Sequence, residues 1–156
     1  MMSGYLDNAS ATAETMRSGW LMTGDLGSLI DDRVVVTGRI RETIIAGGRN
    51  IAPDELEMAA EEVPGVRPGG VVAFQLSRSE HGSDDVILVA EVGGRSPTAQ
   101  ELKRGISAVV GVAPNRVVLV PKGTVPKTSS GKRQRLLCRA LCVDGRLSST
   151  SKTALE

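Results

Sequence analysis

Aromatic side chains are almost absent: one Trp, one Tyr and one Phe in 156 residues. That scarcity argues against nucleic-acid binding by base stacking, which needs exposed rings, and leaves Val, Leu, Ile and Ala to build the core. Cysteine is nearly as sparse. Cys138 and Cys142 stand four apart in an apolar helical pattern, which gives neither a disulfide framework nor the ligand spacing of a zinc site. Buried free thiols in a reducing compartment are the expectation. The single histidine, His81, sits in the polar run RSEHGSD with no Ser/His/Asp set around it, and is expected at the surface. No metal site is expected. No apolar run approaches the roughly 18 residues of a membrane span. The opening MMSGYLDNAS lacks the basic region and apolar stretch of a signal peptide. A cytoplasmic location without a membrane span is expected. Net charge is +1, so no global field draws the chain to nucleic acid or membrane.

What is present is an ordinary globular balance, 40% hydrophobic and 24% charged residues, at a length of about one domain, or a small domain plus part of another. The charge is unevenly spread. From Lys122 onward, eight Lys/Arg face only Asp144 and Glu156, a pattern that on charge alone reads as a solvated basic surface. The terminal run SSTSKTALE is polar and small, and residues 147–156 are expected to be a disordered tail.

Periodicity and punctuation supply the elements. NASATAETMR (8–17) reads as a short helix capped by Asn8 or Ser10. WLMTGDLGSLI and RVVVTGRI, separated by Asp31-Asp32, read as a β-hairpin. ETIIAG and RNIA read as a second hairpin turning at Gly47-Gly48. PDELEMAAEEV is a helix, with Pro53 at its first position and acids crowding the first turn. VVAFQLS and DVILVAEVG follow as strands. SPTAQELKRGISAVVG is a helix with Ser96 as cap and Pro97 next, ending at Gly111. NRVVLVP is a strand, KGTVPKTSSG a loop, and KRQRLLCRALCV an amphipathic helix with apolar positions 136, 137, 140, 141 and 143. The order from residue 42 is ββ-α-β-β-α-β-loop-α, an α+β fold with a small mixed sheet and packed helices. Residues 1–40 do not complete a domain by themselves and read as the β-hairpin end of a preceding one. The expected division is therefore 1–40, 41–146 and the tail 147–156.

Three places could carry chemistry. The first is Pro126-Lys127-Thr128-Ser129-Ser130-Gly131-Lys132. It is a loop of small hydroxyl residues leading to a helix start, where backbone N–H groups and the dipole attract anions. A nucleoside-triphosphate P-loop fails here twice: Gly123 lies eight residues before Gly131, and Arg133 follows Lys132 where Ser or Thr is needed. The second is Thr23-Gly24-Asp25-Leu26-Gly27. Asp25, between glycines, either caps a tight turn or accepts hydrogen bonds from a ligand's hydroxyl pair. The third is Gly38-Arg39 with Arg41-Glu42, then Ala46-Gly47-Gly48-Arg49-Asn50. Its paired glycines permit a tight turn or a close backbone approach.

Taken in order, GYLDNASATAETMRSGWLMTGDLG, VVVTGRIRETIIAGGRNIAPDELE and VPKTSSGKRQR resemble three successive core motifs of the adenylate-forming superfamily. That superfamily comprises acyl-CoA synthetases, fatty acyl-AMP ligases, luciferases and the adenylation domains of peptide synthetases. The resemblance spans roughly residues 4 to 140, and GRNIAPDELE and VRPGGVVAF are most similar to fatty acyl-AMP ligases. It implies the C-terminal lid of an enzyme that activates a carboxylic acid with ATP and Mg2+ as acyl-AMP. The acyl group then passes to a pantetheine thiol of an acyl carrier protein or CoA. Residue by residue, Asp25 matches the aspartate on the ribose hydroxyls and Arg39 an arginine that contacts the nucleotide. Arg41 falls at the hinge, where relatives usually carry Asp or Lys. Gly48 matches the glycine lining the thiol tunnel, beside Gly47 and Arg49. Lys132 matches the catalytic lysine of adenylate formation. Gly47 stands where many CoA-using relatives carry a basic residue, which leans toward a carrier protein. The phosphate loop, adenine pocket and acyl pocket should lie in a large N-terminal adenylation domain, so the segment alone is expected to be inactive. The alternative is a free-standing interaction module that binds a carrier protein or partner ligase.

Overall fold

The computed structural model of the chain describes residues 2–77 and 84–147. His81 and residues 148–156 of the expected tail lie outside the described residues. The chain divides into two compact units, Met1–Arg41 and Glu42–Glu156.

In the first unit, Asn8 caps helix α1 (Ala9–Thr15), its side chain accepting the Ala11 N–H at 2.9 Å. Two short hairpins follow. Strands β1 (Met16–Arg17) and β2 (Trp20–Leu21) pair antiparallel, as do β3 (Asp25–Ile30) and β4 (Arg33–Arg39). Asp31 and Asp32 both adopt positive φ, 46° and 59°, the geometry that matches a two-residue turn to strand twist, and Asp tolerates it. The sequence predicts one strand across Trp20–Ile30, and the structure breaks it. Gly24 has φ 76° and the Thr23 hydroxyl accepts the Asp25 N–H, so the chain turns there and Trp20-Leu21 pair backward with Met16-Arg17. Among the described residues of this unit none is buried. Leu29 and Val34 are 70% and 76% exposed, although they face each other in the register.

The second unit is a three-layer α+β body, and its element order is the predicted one. Strands β5 (Ile44–Ala46) and β6 (Arg49–Ile51) form a hairpin whose turn residues Gly47 and Gly48 have φ 58° and 73°. Helix α2 (Pro53–Glu61) leads to β7 (Val66–Ser77), which pairs antiparallel with β8 (Asp84–Val92). Helix α3 (Ala99–Val110) then crosses over to β9 (Arg116–Pro121), which pairs parallel with β8, giving sheet order β7-β8-β9. Strand alternation divides the core. Val71, Ala73, Val86 and Leu88 pack on Leu56 of α2 and Leu102 of α3. Val72, Phe74, Ile87 and Val89 face the other way, onto Val125 and Cys138.

Two helix starts differ from expectation. Thr98, not Ser96, caps α3: its hydroxyl accepts the Glu101 N–H while the Glu101 carboxylate accepts the Thr98 N–H. This reciprocal pair leaves Pro97 outside the helix. Helix α4 spans Arg135–Val143 and so begins three residues after Lys132, because residues 127–133 close into a β-bridge of their own. The apolar face of α4 is also turned. Cys138 is buried, but Leu136, Leu137, Ala140 and Val143 are exposed and Leu141 is half-buried. The small thiols at 138 and 142 fit close against the sheet and set the rotation of the helix, so its leucines face outward.

Leu102 is fully buried, so Leu102→Ala is expected to cost about 2–5 kcal/mol in a urea titration. Leu136→Ala should stay within about 0.5 kcal/mol. A large loss at Leu136 would contradict the observed rotation of α4.

Candidate functional site: a lysine hairpin clamped on an acidic helix

Residues 125–135 form a compact irregular hairpin. The Thr128 N–H donates to the Lys132 carbonyl at 2.8 Å, and the Lys132 N–H donates to the Thr128 hydroxyl at 3.0 Å. Gly131, with φ 81°, donates to the Thr128 carbonyl, and the Gln134 N–H donates to the Pro126 carbonyl. The backbone of Lys132 is thus held on both sides. Its ammonium is exposed and has no hydrogen-bond or ion-pair partner among the described residues.

The base of this hairpin is fastened to α2. Arg133 pairs with Glu57 at 3.1 Å and with Glu61 at 2.9 Å. Arg135 donates through Nε and Nη2 to the two oxygens of Glu57, at 2.7 and 2.8 Å, reaches Asp54, and pairs with Glu42 at 2.8 Å. Glu57 is fully buried and also accepts the Ala73 N–H at 3.0 Å. Burying a lone carboxylate costs several kcal/mol, and only close partners with their hydrogen bonds offset it. Hydrogen bonding to Glu57, opposed by burial, raises the pKa of Arg135 above the ordinary guanidinium value. The sequence reading did not single out this clamp. Its signal was available: Asp54, Glu57 and Glu61 recur at i, i+3 and i+7 on one helix face. The acids of the first turn read instead as complements of the helix dipole.

The other predicted residues fall on separate features. Asp25 and Arg39 are brought together, facing each other at the start of β3 and the end of β4, with an ion pair of 3.1 Å. Both are substantially solvent-accessible, so the pair adds at most about 1 kcal/mol. Arg41 is exposed, in the 3-10 turn Ile40–Glu42, at the last position of the first unit. Gly47 and Gly48 form the β5–β6 turn. A Cβ on Gly48 would meet nothing within 4 Å, while one on Gly47 would lie 3.8 Å from Val112. Arg49 donates to the Val110 carbonyl at 2.9 Å, which satisfies the C-terminus of α3 and ties this hairpin to it. Lys132 and Gly48 therefore ride on one unit through different anchors, α2 for the first and α3 for the second. Among the described residues no group of three His, Cys, Asp or Glu could hold a metal ion, and the α2 acids are occupied by arginine.

No family model matches the chain. It is 39% identical over 141 residues to a Caulobacter vibrioides protein named as an acyl-CoA synthetase, covering 86% of this chain and 24% of that protein. It is 38% identical over 142 residues to the fatty acid–[acyl-carrier-protein] ligase MmaC of Mycobacterium marinum, covering 86% of this chain and 26% of that protein. Among solved structures, one from studies of fatty acyl-adenylate ligases from E. coli and L. pneumophila superposes with TM-score 0.74 at 33% identity, over 93% of this chain and 26% of that one. The chain spans about a quarter of the length of these relatives. Among the described residues no helix is long and apolar enough to cross a membrane.

Beneath the clamp, burial pushes the Cys138 thiol up to about 12, against about 8.5 in an unfolded chain. The folded state then keeps a proton that the unfolded state gives up. The stabilisation from this group is complete below about pH 8.5 and is lost as pH rises toward 12. Urea midpoints should fall above about pH 9, and fall less steeply in Cys138→Ala; parallel slopes would show that Cys138 does not contribute.

Proposed function

Because this chain belongs with the C-terminal portions of adenylate-forming acyl ligases, we propose that it is the mobile lid of an enzyme that activates a fatty acid with ATP. In the first half-reaction the carboxylate attacks the α-phosphorus, giving acyl-adenylate and pyrophosphate. In the second, a pantetheine thiol takes the acyl group and AMP leaves. The observation that carries this reading is the exposed Lys132 ammonium, without a partner among the described residues, at the tip of an anchored hairpin.

Lys132 has the chemistry this step needs. Two anions must meet and negative charge shifts at phosphorus, so catalysis is positioning and electrostatics. One ammonium about 4 Å from the reacting oxygens, at an effective dielectric near 20, supplies about 4 kcal/mol, on the order of a thousandfold in rate. Asp25 would accept from the ribose hydroxyls and Arg39 would contact the nucleotide. Their mutual ion pair keeps both side chains at one end of the β3–β4 hairpin. Among the described residues no acidic group is open to Mg2+, the α2 cluster being already neutralised by Arg133 and Arg135. The metal would arrive with the nucleotide in the large domain.

The first unit is the end of that N-terminal adenylation domain. A two-stranded hairpin is marginal alone in water, and Leu29, Val34 and Val36 lie open to solvent, as they would if a larger sheet were meant to cover them. Arg41, between the units, is the pivot. Rotation there withdraws Lys132 and brings the Gly48 turn to the site, so that one segment serves two half-reactions. The open space over Gly48 suits a narrow thiol arm. The acceptor is a carrier protein or CoA, and Gly47, with no side chain to pair with a nucleotide phosphate, inclines the reading to a carrier protein. A cytoplasmic setting suits the free thiols Cys138 and Cys142.

With the upstream domain present, Lys132→Ala should lower ATP–pyrophosphate exchange on the order of a thousandfold while leaving the melting temperature nearly unchanged. Undiminished exchange would remove Lys132 from the reaction. Gly48→Leu should do the reverse: thiol transfer from preformed acyl-adenylate falls at least tenfold and exchange is retained. Substitution at φ 73° also costs about 1 kcal/mol of stability, which a melt separates from the kinetic effect.

A further inference from the structure

Lys132 is held by its neighbours more than by its own contacts. Its backbone bonds only within the hairpin, to Thr128. The hairpin reaches the rest of the unit at both ends: at Val125, whose N–H donates to the buried Glu91 carboxylate of β8 at 2.9 Å, and through Arg133 and Arg135, one and three residues beyond Lys132. Of these, Arg135 has the wider reach. Its guanidinium spans both oxygens of Glu57, Asp54 beside it, and Glu42. Glu42 belongs to the 3-10 turn Ile40–Glu42, directly after Arg41. Glu57 is fixed in turn by the Ala73 N–H of the central sheet. Arg135 therefore joins three parts of the unit: the point where the chain enters it, the acidic face of α2, and the hairpin that carries the ammonium.

The geometry points to Arg135 as a positioning residue: by bridging Glu42 and Glu57 it sets where Lys132 stands relative to the pivot at Arg41. Arg135 touches no substrate in this account and acts through Lys132. The inference rests on the proposed role of Lys132 in adenylate formation. A planar fork is required, because a lysine at this position could reach one carboxylate but not hold three in fixed relation. A partner on the entry turn is required as well, because a clamp to α2 alone would orient the hairpin within the unit without referring it to the hinge.

The test uses the ligase with its upstream domain and measures the two half-reactions separately. Arg135→Gln should lower the kcat of ATP–pyrophosphate exchange about tenfold, with the KM for ATP changed less than twofold. Thiol transfer from preformed acyl-adenylate, which does not use Lys132, should stay within twofold. Arg135→Lys should fall between the two. Glu42→Gln leaves the Glu57 bonds intact and is the gentler variant should Arg135→Gln fail to fold; it should lower exchange about threefold, again without affecting thiol transfer. Equal losses in both half-reactions would make Arg135 a merely structural residue and overturn the inference, as would unchanged exchange in either folded variant. Lys132→Ala measured in parallel separates the two claims. Full exchange in Lys132→Ala removes the role of the lysine itself, whereas lost exchange there with unchanged exchange in Arg135→Gln removes only the positioning role.

Discussion

A buried carboxylate organises the second unit. Glu57 lies fully inside, against the sheet, and an isolated charge there would be among the most expensive groups in the chain. It is stable because the Ala73 N–H and the guanidinium groups of Arg133 and Arg135 converge on its two oxygens. The dependence runs in both directions. The arginines need Glu57, and the hairpin needs the arginines at its second arm, since Val125 fastens only the first, through its N–H to Glu91 of β8. A replacement that neutralised Glu57 would leave Arg133 and Arg135 only the more exposed carboxylates of Asp54, Glu61 and Glu42. Such a pair is weak evidence of net stability but strong evidence of specified geometry.

The two units obey different rules. The second has a sheet with both faces covered, helices α2 and α3 on one side and α4 on the other. The first has helix, turns and hairpins with good local chemistry and, among the described residues, none that is buried. Asn8 caps α1 and the Asp31-Asp32 turn has the twist a hairpin wants, so local preferences are satisfied. What is missing is apolar burial, the dominant favourable contribution to folding. This contrast physically supports reading the first unit as part of something larger.

Helix α4 shows where pattern and packing part company. The sequence carries Leu136, Leu137, Ala140, Leu141 and Val143 as its apolar positions, and periodicity assigns them to the core. The structure half-buries only Leu141 of these and covers Cys138, Cys142 and Arg135 in place of the rest. Arg135 reaches Glu57, Asp54 and Glu42 from the first residue of the helix, on the same face as the thiols of Cys138 and Cys142 that fit against the sheet. The charged network at one end and the close fit of two small thiols along the same face turn the helix this way, and Leu136 and Leu137 stay outside. A periodicity argument has no term for this, because it weighs each residue by its own polarity and not by the partner it meets.

Sequence alone determined the element order from residue 42 onward, the two glycine or aspartate turns and the α2 start, and its motifs pointed to the candidate residues Asp25, Arg39, Arg41, Gly48 and Lys132. Each of these is a local matter, a propensity, a φ requirement or a short motif, readable within a few neighbouring positions. Tertiary structure decided which cap won at α3, where α4 begins, which way it faces, and that Arg135 links Glu42 to Glu57 across more than 90 and nearly 80 residues respectively. Those outcomes depend on groups far apart in the chain meeting in a low-dielectric interior, where an unpaired charge is too costly to leave. No window along the sequence contains both members of such a pair.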